Sequence, residues 1–197
     1  MVYLYCSQEK KESEVLKMTA KEKLEMFKEE LELIGDNAMR ELTEEFLTDI
    51  VPDYFWEIPA SSSGKYHPSF DQGESGLVRH TKMVVAVAVE LMNLDMFYTK
   101  GYEDDIIIAC LLHDTFKNGV IDCGHTVNYH ADIAAGMWEV FTVDKLLPIE
   151  RTDIYSGIKV HMGQWGKEQY PDRDFEKLIH LADYIASRKF FDKYKAD

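Results

Sequence analysis

The stretch Ile106-Ile107-Ile108-Ala109-Cys110-Leu111-Leu112-His113-Asp114-Thr115-Phe116-Lys117 organises the rest of the 197-residue chain. An unbroken apolar run ends in a His-Asp pair, and Lys117 stands three positions past the aspartate and four past the histidine. On a helix those spacings put Lys117 on the same side as the pair. A histidine and a carboxylate at the end of a buried helix make a candidate metal site.

Outward from that stretch the chain reads as helices. Thr19-Ala20-Lys21-Glu22 has capping-box spacing and opens a helix carrying Leu24, Phe27, Leu31 and Ile34, which Gly35 ends. A second helix is expected from Asp36 to about Ile50, with Met39, Leu42, Phe46 and Leu47 on its apolar face. Gly76-Leu77-Val78-Arg79-His80-Thr81 leads into a long apolar helix reaching Met92, and Glu103-Asp104-Asp105 starts the next. After an Asn118-Gly119 turn, a helix is expected from Val127 or Asn128, with His130 in its first turns and His125 in the loop before it. Ile149 to Val160 is a further helix, ending at His161-Met162-Gly163. Pro171-Asp172 opens the last one, whose apolar stripe of Phe175, Leu178, Ile179, Ala182, Ile185 and Ala186 contains Asp183. A buried aspartate needs a partner; a salt bridge to Arg188 or Lys189 competes with metal ligation. No run favours strands, so the expected fold is all-α, one compact bundle. Residues 1–75 supply N-terminal helices and a long loop packed on a core spanning 76–197. The apolar Val2-Tyr3-Leu4-Tyr5 reads as a short strand or arm.

Residues 51–76 form the irregular part, with Pro52, Pro59 and Pro68, a serine-glycine turn and several aromatics. Long loops in compact domains are often functional. His67 is either a surface histidine or a lid residue that touches substrate. Tyr54, Phe55, Trp56, Tyr66 and Phe70 either pack the loop or stack on a base.

Composition narrows the function classes. With 46% hydrophobic residues, the chain suits a folded globular domain. No apolar stretch is long enough to span a bilayer, and no signal-peptide pattern opens the sequence. Three cysteines without a CxxC spacing fit reduced thiols in a cytoplasmic protein. A net charge of −14 repels duplex DNA and anionic membranes but not a small phosphate ligand, because a bound metal dominates its local field.

His80, His113-Asp114, His130, His161 and Asp183 form an ordered series, nearly all on or at the ends of expected helices. Neutral imidazole and carboxylate suit Mn, Fe, Co, Ni, Zn or Mg, and the lack of a cysteine pair argues against a structural zinc site. With His80, His113-Asp114 and Asp183, the chain resembles the HD superfamily of metal-dependent phosphohydrolases. Around Gly76 to Thr81, Leu111 to Lys117 and Leu181-Ala182-Asp183 it is similar to small stand-alone members and to the HD domain of bacterial 3′–5′ exoribonucleases. The resemblance covers Gly76 to about Arg188. It implies that His80, His113, Asp114 and Asp183 hold a first divalent metal. It also implies that Asp114 bridges to a second held by His130 and His161, so that one or two ions bind per chain. Many two-metal members carry a His-His pair where this chain has His161-Met162. Lys117 matches a lysine that faces substrate phosphate, and Arg79 and Arg188 are further candidates for substrate contact.

The implied activity is hydrolysis of a phosphodiester or phosphoanhydride of a nucleotide or short oligonucleotide by metal-activated water. Asp114 and Lys117 act in catalysis, and His130 does so if it is free to protonate the leaving oxygen. Alternatives are a one-metal deoxynucleoside triphosphate triphosphohydrolase, a non-catalytic nucleotide-binding regulatory module, and an acidic helical protein with core histidines. The sequence leaves substrate, metal and oligomeric state open.

Overall fold

The computed structural model describes residues 17–194 apart from 63, 66 and 167–169. The expected N-terminal strand or arm, Cys6 and Tyr66 therefore lie outside the described residues. Among those described there are eight α-helices and no strand: α1 (Ala20–Met26), α2 (Lys28–Leu31), α3 (Asn37–Asp49), α4 (Gly76–Met92), α5 (Glu103–Leu112), α6 (His130–Thr142), α7 (Pro148–Val160) and α8 (Asp174–Ala186). None is long and apolar enough to cross a membrane.

The capping box at Thr19 and Glu22 is present, but the first expected helix is broken at Phe27 and finishes at Leu31. Asp36 caps α3 by accepting from the amides of Ala38 and Met39. The corner before it is held by Asp104, whose carboxylate accepts from the amides of Gly35 and Asp36 at 2.8 Å each. The helix expected from Val127 or Asn128 starts instead at His130, after a turn closed by a bond from the His130 amide to the Val127 carbonyl. Pro148, a stop for the preceding helix, is the first residue of α7, where its missing N–H costs nothing.

Helix α5 is the centre. Its residues from Ile106 to Leu112 are all buried, because α4, α7 and α8 pack around it on different sides. A helix enclosed on every side has no use for a polar face, which is why this run shows no helical stripe. α6 pairs with α7, and α4 pairs with α8. Gly157 on α7 is the point of closest approach. A Cβ there would lie 2.7 Å from Ile179 Cδ1 and 3.1 Å from Ala109 Cβ. The side chains of Phe46, Phe116, Trp138 and Phe141 meet edge to face and tie α3 to the far side of the same core.

The long loop from 51 to 75 is not a loose flap. Phe55 and Trp56 are buried and pack against Phe27, and the Tyr54 hydroxyl donates to the Gly119 carbonyl at 2.6 Å. Of the two roles open to these loop aromatics, Phe55 and Trp56 take the packing one. The loop returns to the start of α4 through bonds from Ser75 N to Glu57 O and from Leu77 N to Ile58 O. Gly76 lets it come so close: a Cβ there would lie 2.0 Å from the Asp71 carbonyl oxygen and 2.9 Å from Pro59 Cα.

Candidate metal centre

Three of the cluster histidines sit at helix ends, each with Nδ1 on a nearby backbone carbonyl. The last carbonyls of a helix lack intrahelical partners. His113 follows α5 and its Nδ1 meets the Cys110 carbonyl at 2.7 Å. His161 follows α7 and its Nδ1 meets the Ile158 carbonyl at 2.7 Å. His130 opens α6 and uses the Val127 carbonyl of the preceding turn, again at 2.7 Å. A carbonyl only accepts, so each Nδ1 carries a proton, and in the neutral imidazole each Nε2 keeps its lone pair.

Those lone pairs converge on Asp114. Its Oδ1 lies 3.1 Å from His130 Nε2 and 3.8 Å from His161 Nε2, and the two imidazole nitrogens are 3.3 Å apart. Its Oδ2 lies 3.5 Å from His113 Nε2 and 3.9 Å from His80 Nε2. His80 Nε2 is also 3.1 Å from Asp183 Oδ1, which stands 3.9 Å from His113 Nε2. Two sets of ligand atoms flank Asp114, each lying within 4.8 Å of one another: His80, His113 and Asp183 on one side, and Asp114, His130 and His161 on the other; His67, Asp71 and His80 form a third such set behind His80. Ligand atoms bound to one tetrahedral ion at about 2.1 Å stand roughly 3.4 Å apart, so both sets are of the right size. His113 Nε2 is buried without any hydrogen-bond partner. A buried cluster of such donors could hold a cation. The residues present therefore fit divalent metal.

Electrostatics agree. Two buried carboxylates, Asp71 and Asp114, and the partly buried Asp183 share the cluster with one buried lysine, Lys117, whose Nζ is 2.5 Å from Asp114 Oδ2. Burial opposes ionisation of Asp114, but Lys117 and His113 outweigh it and hold the carboxyl well below its usual range. Burial likewise opposes the charge on Asp183, and His80 and His113 overcome it. Burial, then the neighbouring His113 and His130, lowers His161 to about 3, so it is neutral at physiological pH. Burial also works against a charged His80, yet Asp183 and Asp71 raise it to about 9. A metal held by His80 would displace that proton.

Asp71 was not picked out from the sequence. It is fully buried, and its Oδ2 lies 3.6 Å from His80 Nδ1 and 3.5 Å from His67 Nδ1. Both of its oxygens and both of those nitrogens lack hydrogen bonds. His80 sits within α4, where no free carbonyl is at hand, and Asp71 stands where the other three histidines have one. A carboxylate behind an imidazole fixes the tautomer and raises ligand basicity. The only sequence signal was an aspartate close to Gly76.

The other expected residues separate into two groups. His67 joins the cluster edge, its ring centroid 4.6 Å from that of His80. Lys117 lies in a turn beyond α5 rather than on the helix, but the bond from its amide to the Asp114 carbonyl keeps the three-residue spacing that brings the side chains together. His125 is exposed and stays in its loop. Arg79 is occupied elsewhere, its guanidinium donating to the carbonyls of Phe70, Gln72 and Glu74. Asp183 pairs with His80 rather than with Arg188, whose guanidinium donates to the Tyr184 carbonyl and the Ser187 hydroxyl. Lys189 donates to the Gly64 carbonyl.

Comparison of the chain with family models, with curated proteins and with solved structures gave no match.

Proposed function

We infer that the protein is a metal-dependent phosphohydrolase acting on a phosphodiester or phosphoanhydride of a nucleotide or short oligonucleotide, as its resemblance to the HD superfamily implies. One observation carries the reading. Asp114 turns one oxygen to each ligand set, so a single carboxylate stands between two places for a cation. Paired divalent ions, when bound, neutralise phosphoryl oxygens and bring the pKa of water toward neutrality.

The chain's own residues supply the rest. Asp114 and Asp183 provide negative charge that selects cations, and the histidines provide neutral donors. Lys117 holds its ammonium against Asp114, beside the place where a phosphoryl group would gather charge. Burial of Asp114, Lys117 and the four histidines His80, His113, His130 and His161 keeps bulk water from screening them. His130 and His161 have both ring nitrogens committed, Nδ1 to a carbonyl and Nε2 to the cluster, so neither is free as the acid for the leaving group.

The test is metal content by mass spectrometry together with hydrolysis of bis-p-nitrophenyl phosphate across Mn, Co, Ni, Mg and Zn. Close to two ions per chain with turnover is expected. Inorganic triphosphate released from a deoxynucleoside triphosphate would move the activity to the one-metal alternative. No metal and no turnover after reconstitution sinks the reading.

A further inference from the structure

We propose that Trp165, Tyr184 and Arg188 form a stacking subsite for a planar nucleobase beside the His/Asp cluster. The ring of Trp165 lies nearly parallel to that of Tyr184, with centroids 5.5 Å apart and an interplanar angle of 9°. The guanidinium of Arg188 lies 4.3 Å from the Tyr184 centroid and 5.9 Å from that of Trp165. Among the described residues no carboxylate pairs with Arg188; its hydrogen bonds go to the Tyr184 carbonyl and the Ser187 hydroxyl.

The platform shares its supports with the metal ligands. Trp165 ends the short turn Gly163–Trp165 that follows His161, and Tyr184 follows Asp183 on α8. His180, one turn before Tyr184, bonds through Nδ1 to the His161 carbonyl at 2.7 Å. Gly163 has φ +51°, and a Cβ there would lie 2.3 Å from the His180 ring, so turn and helix are in direct contact. The most exposed of the cluster's ligand candidates, Asp183, directly precedes Tyr184 on α8. Asp183 keeps 20% of its side chain exposed, whereas His80, His113, Asp114, His130 and His161 keep 4% or less.

The chemistry points to a base. A clip whose task is to fasten the turn to α8 would bury its rings, but Trp165 remains 51% exposed. An aromatic face with a guanidinium at its edge takes any nucleobase by stacking and cation–π attraction, at roughly 1–3 kcal/mol per base. A ligand with its negative charge at the metals and a neutral ring beyond them avoids the repulsion of this acidic chain. The subsite rests on the phosphohydrolase reading for its place beside the phosphate, and the test separates the two.

The chain has three tryptophans, and Trp56 and Trp138 are buried, at 1% and 0% exposure. Quenching by a ligand therefore reports Trp165. The metal-reconstituted protein is titrated with AMP, with adenosine and with ribose 5-phosphate. Saturable quenching by AMP and adenosine but not by ribose 5-phosphate is expected, with AMP binding about tenfold weaker by calorimetry in Trp165→Ala and largely kept in Trp165→Phe. If AMP and ribose 5-phosphate behave alike, or Trp165→Ala binds AMP as tightly as the wild type, the subsite is overturned. Should Trp165→Ala fail to fold, the quenching comparison decides alone. Adenosine quenching in a protein that takes no metal upholds the platform and removes the phosphohydrolase reading. Metal loading and diester turnover without quenching by either adenine compound removes the platform alone.

Discussion

The two ligand sets on either side of Asp114 are alike in size and unlike in charge. His80, His113 and Asp183 include a carboxylate of their own, and Asp71 stands behind His80. His130 and His161 have only the oxygen of Asp114 that faces them, and both carbonyls behind them are neutral. A divalent ion on the first side meets more negative charge and a more basic imidazole than one on the second. The lesson is that a shared carboxylate equips two places unequally, so the first set is expected to bind a divalent ion more tightly than the second. Met162, in the place where the resemblance leads one to expect another histidine, leaves that second set without a further nitrogen.

The largest effect expected is that of Asp114→Ala. It removes the carboxylate that faces both sets, one oxygen to each, so bound metal is expected to fall from about two ions per chain to none and diester hydrolysis to background. Retention of a full metal complement, measured by mass spectrometry, breaks the idea of a shared carboxylate.

Next come two variants that split the sets. Asp183→Asn is expected to lose the tight ion and most turnover, whereas His161→Ala keeps one tight ion and loses the weaker one. Metal titration by calorimetry reads both. The opposite order of losses reverses the ranking of the two sides.

Asp71→Asn is subtler, since Asp71 lies behind His80 rather than among the ligands. Affinity at the first side is expected to drop roughly 10- to 100-fold while the second side is unchanged. Equal weakening of both sides would show a general loss of structure instead.

The smallest effect serves as a control on buried carboxylates without a cation. Asp105 is pushed up to about 7 by burial and then by Asp153 and Asp104, with Glu103 adding to it and Arg173 opposing. A raised carboxyl binds its proton more tightly in the folded state, so its contribution to stability falls as pH rises from about 4 through about 7. Asp105→Asn is expected to leave stability unchanged near pH 4 and to add on the order of 1–2 kcal/mol near pH 8. Denaturant melts at the two pH values check it, and an equal gain at both would contradict the assignment. Asp114 and Asp183 shift the other way because Lys117 and His113 face the first, and His80 and His113 the second, strongly enough to overcome burial.

Much of this was readable from the chain. Ile106 to Leu112 predicts a buried helix, and periodicity places most of the others to within a few residues. His80, His113, Asp114, His130, His161 and Asp183 stand out together because their residue types and helix-end positions suit ligands. The choice of His130 over His125 follows from its place on a helix, and Lys117 from its spacing to Asp114. Boundaries that depend on local turns were harder to place: the break at Phe27 and the start of α6 at His130 are set by packing and a turn bond.

Long-range contacts alone decided the rest. His80 meets Asp183 across 103 positions, and no pattern within a helix says that the partner is not Arg188. Asp71 reaches His80 because a side-chain-free Gly76 admits the loop backbone, a steric fact that appears only when two segments touch. Phe55 and Trp56 turn inward because Phe27 offers them a core, while Trp165, an unremarked residue after a glycine turn, stays at the surface on Tyr184. Short-range order follows from periodicity, capping and spacing, which act within a few residues. Burial, pairing and exposure depend on which distant surfaces close over a side chain, and the fold determines that.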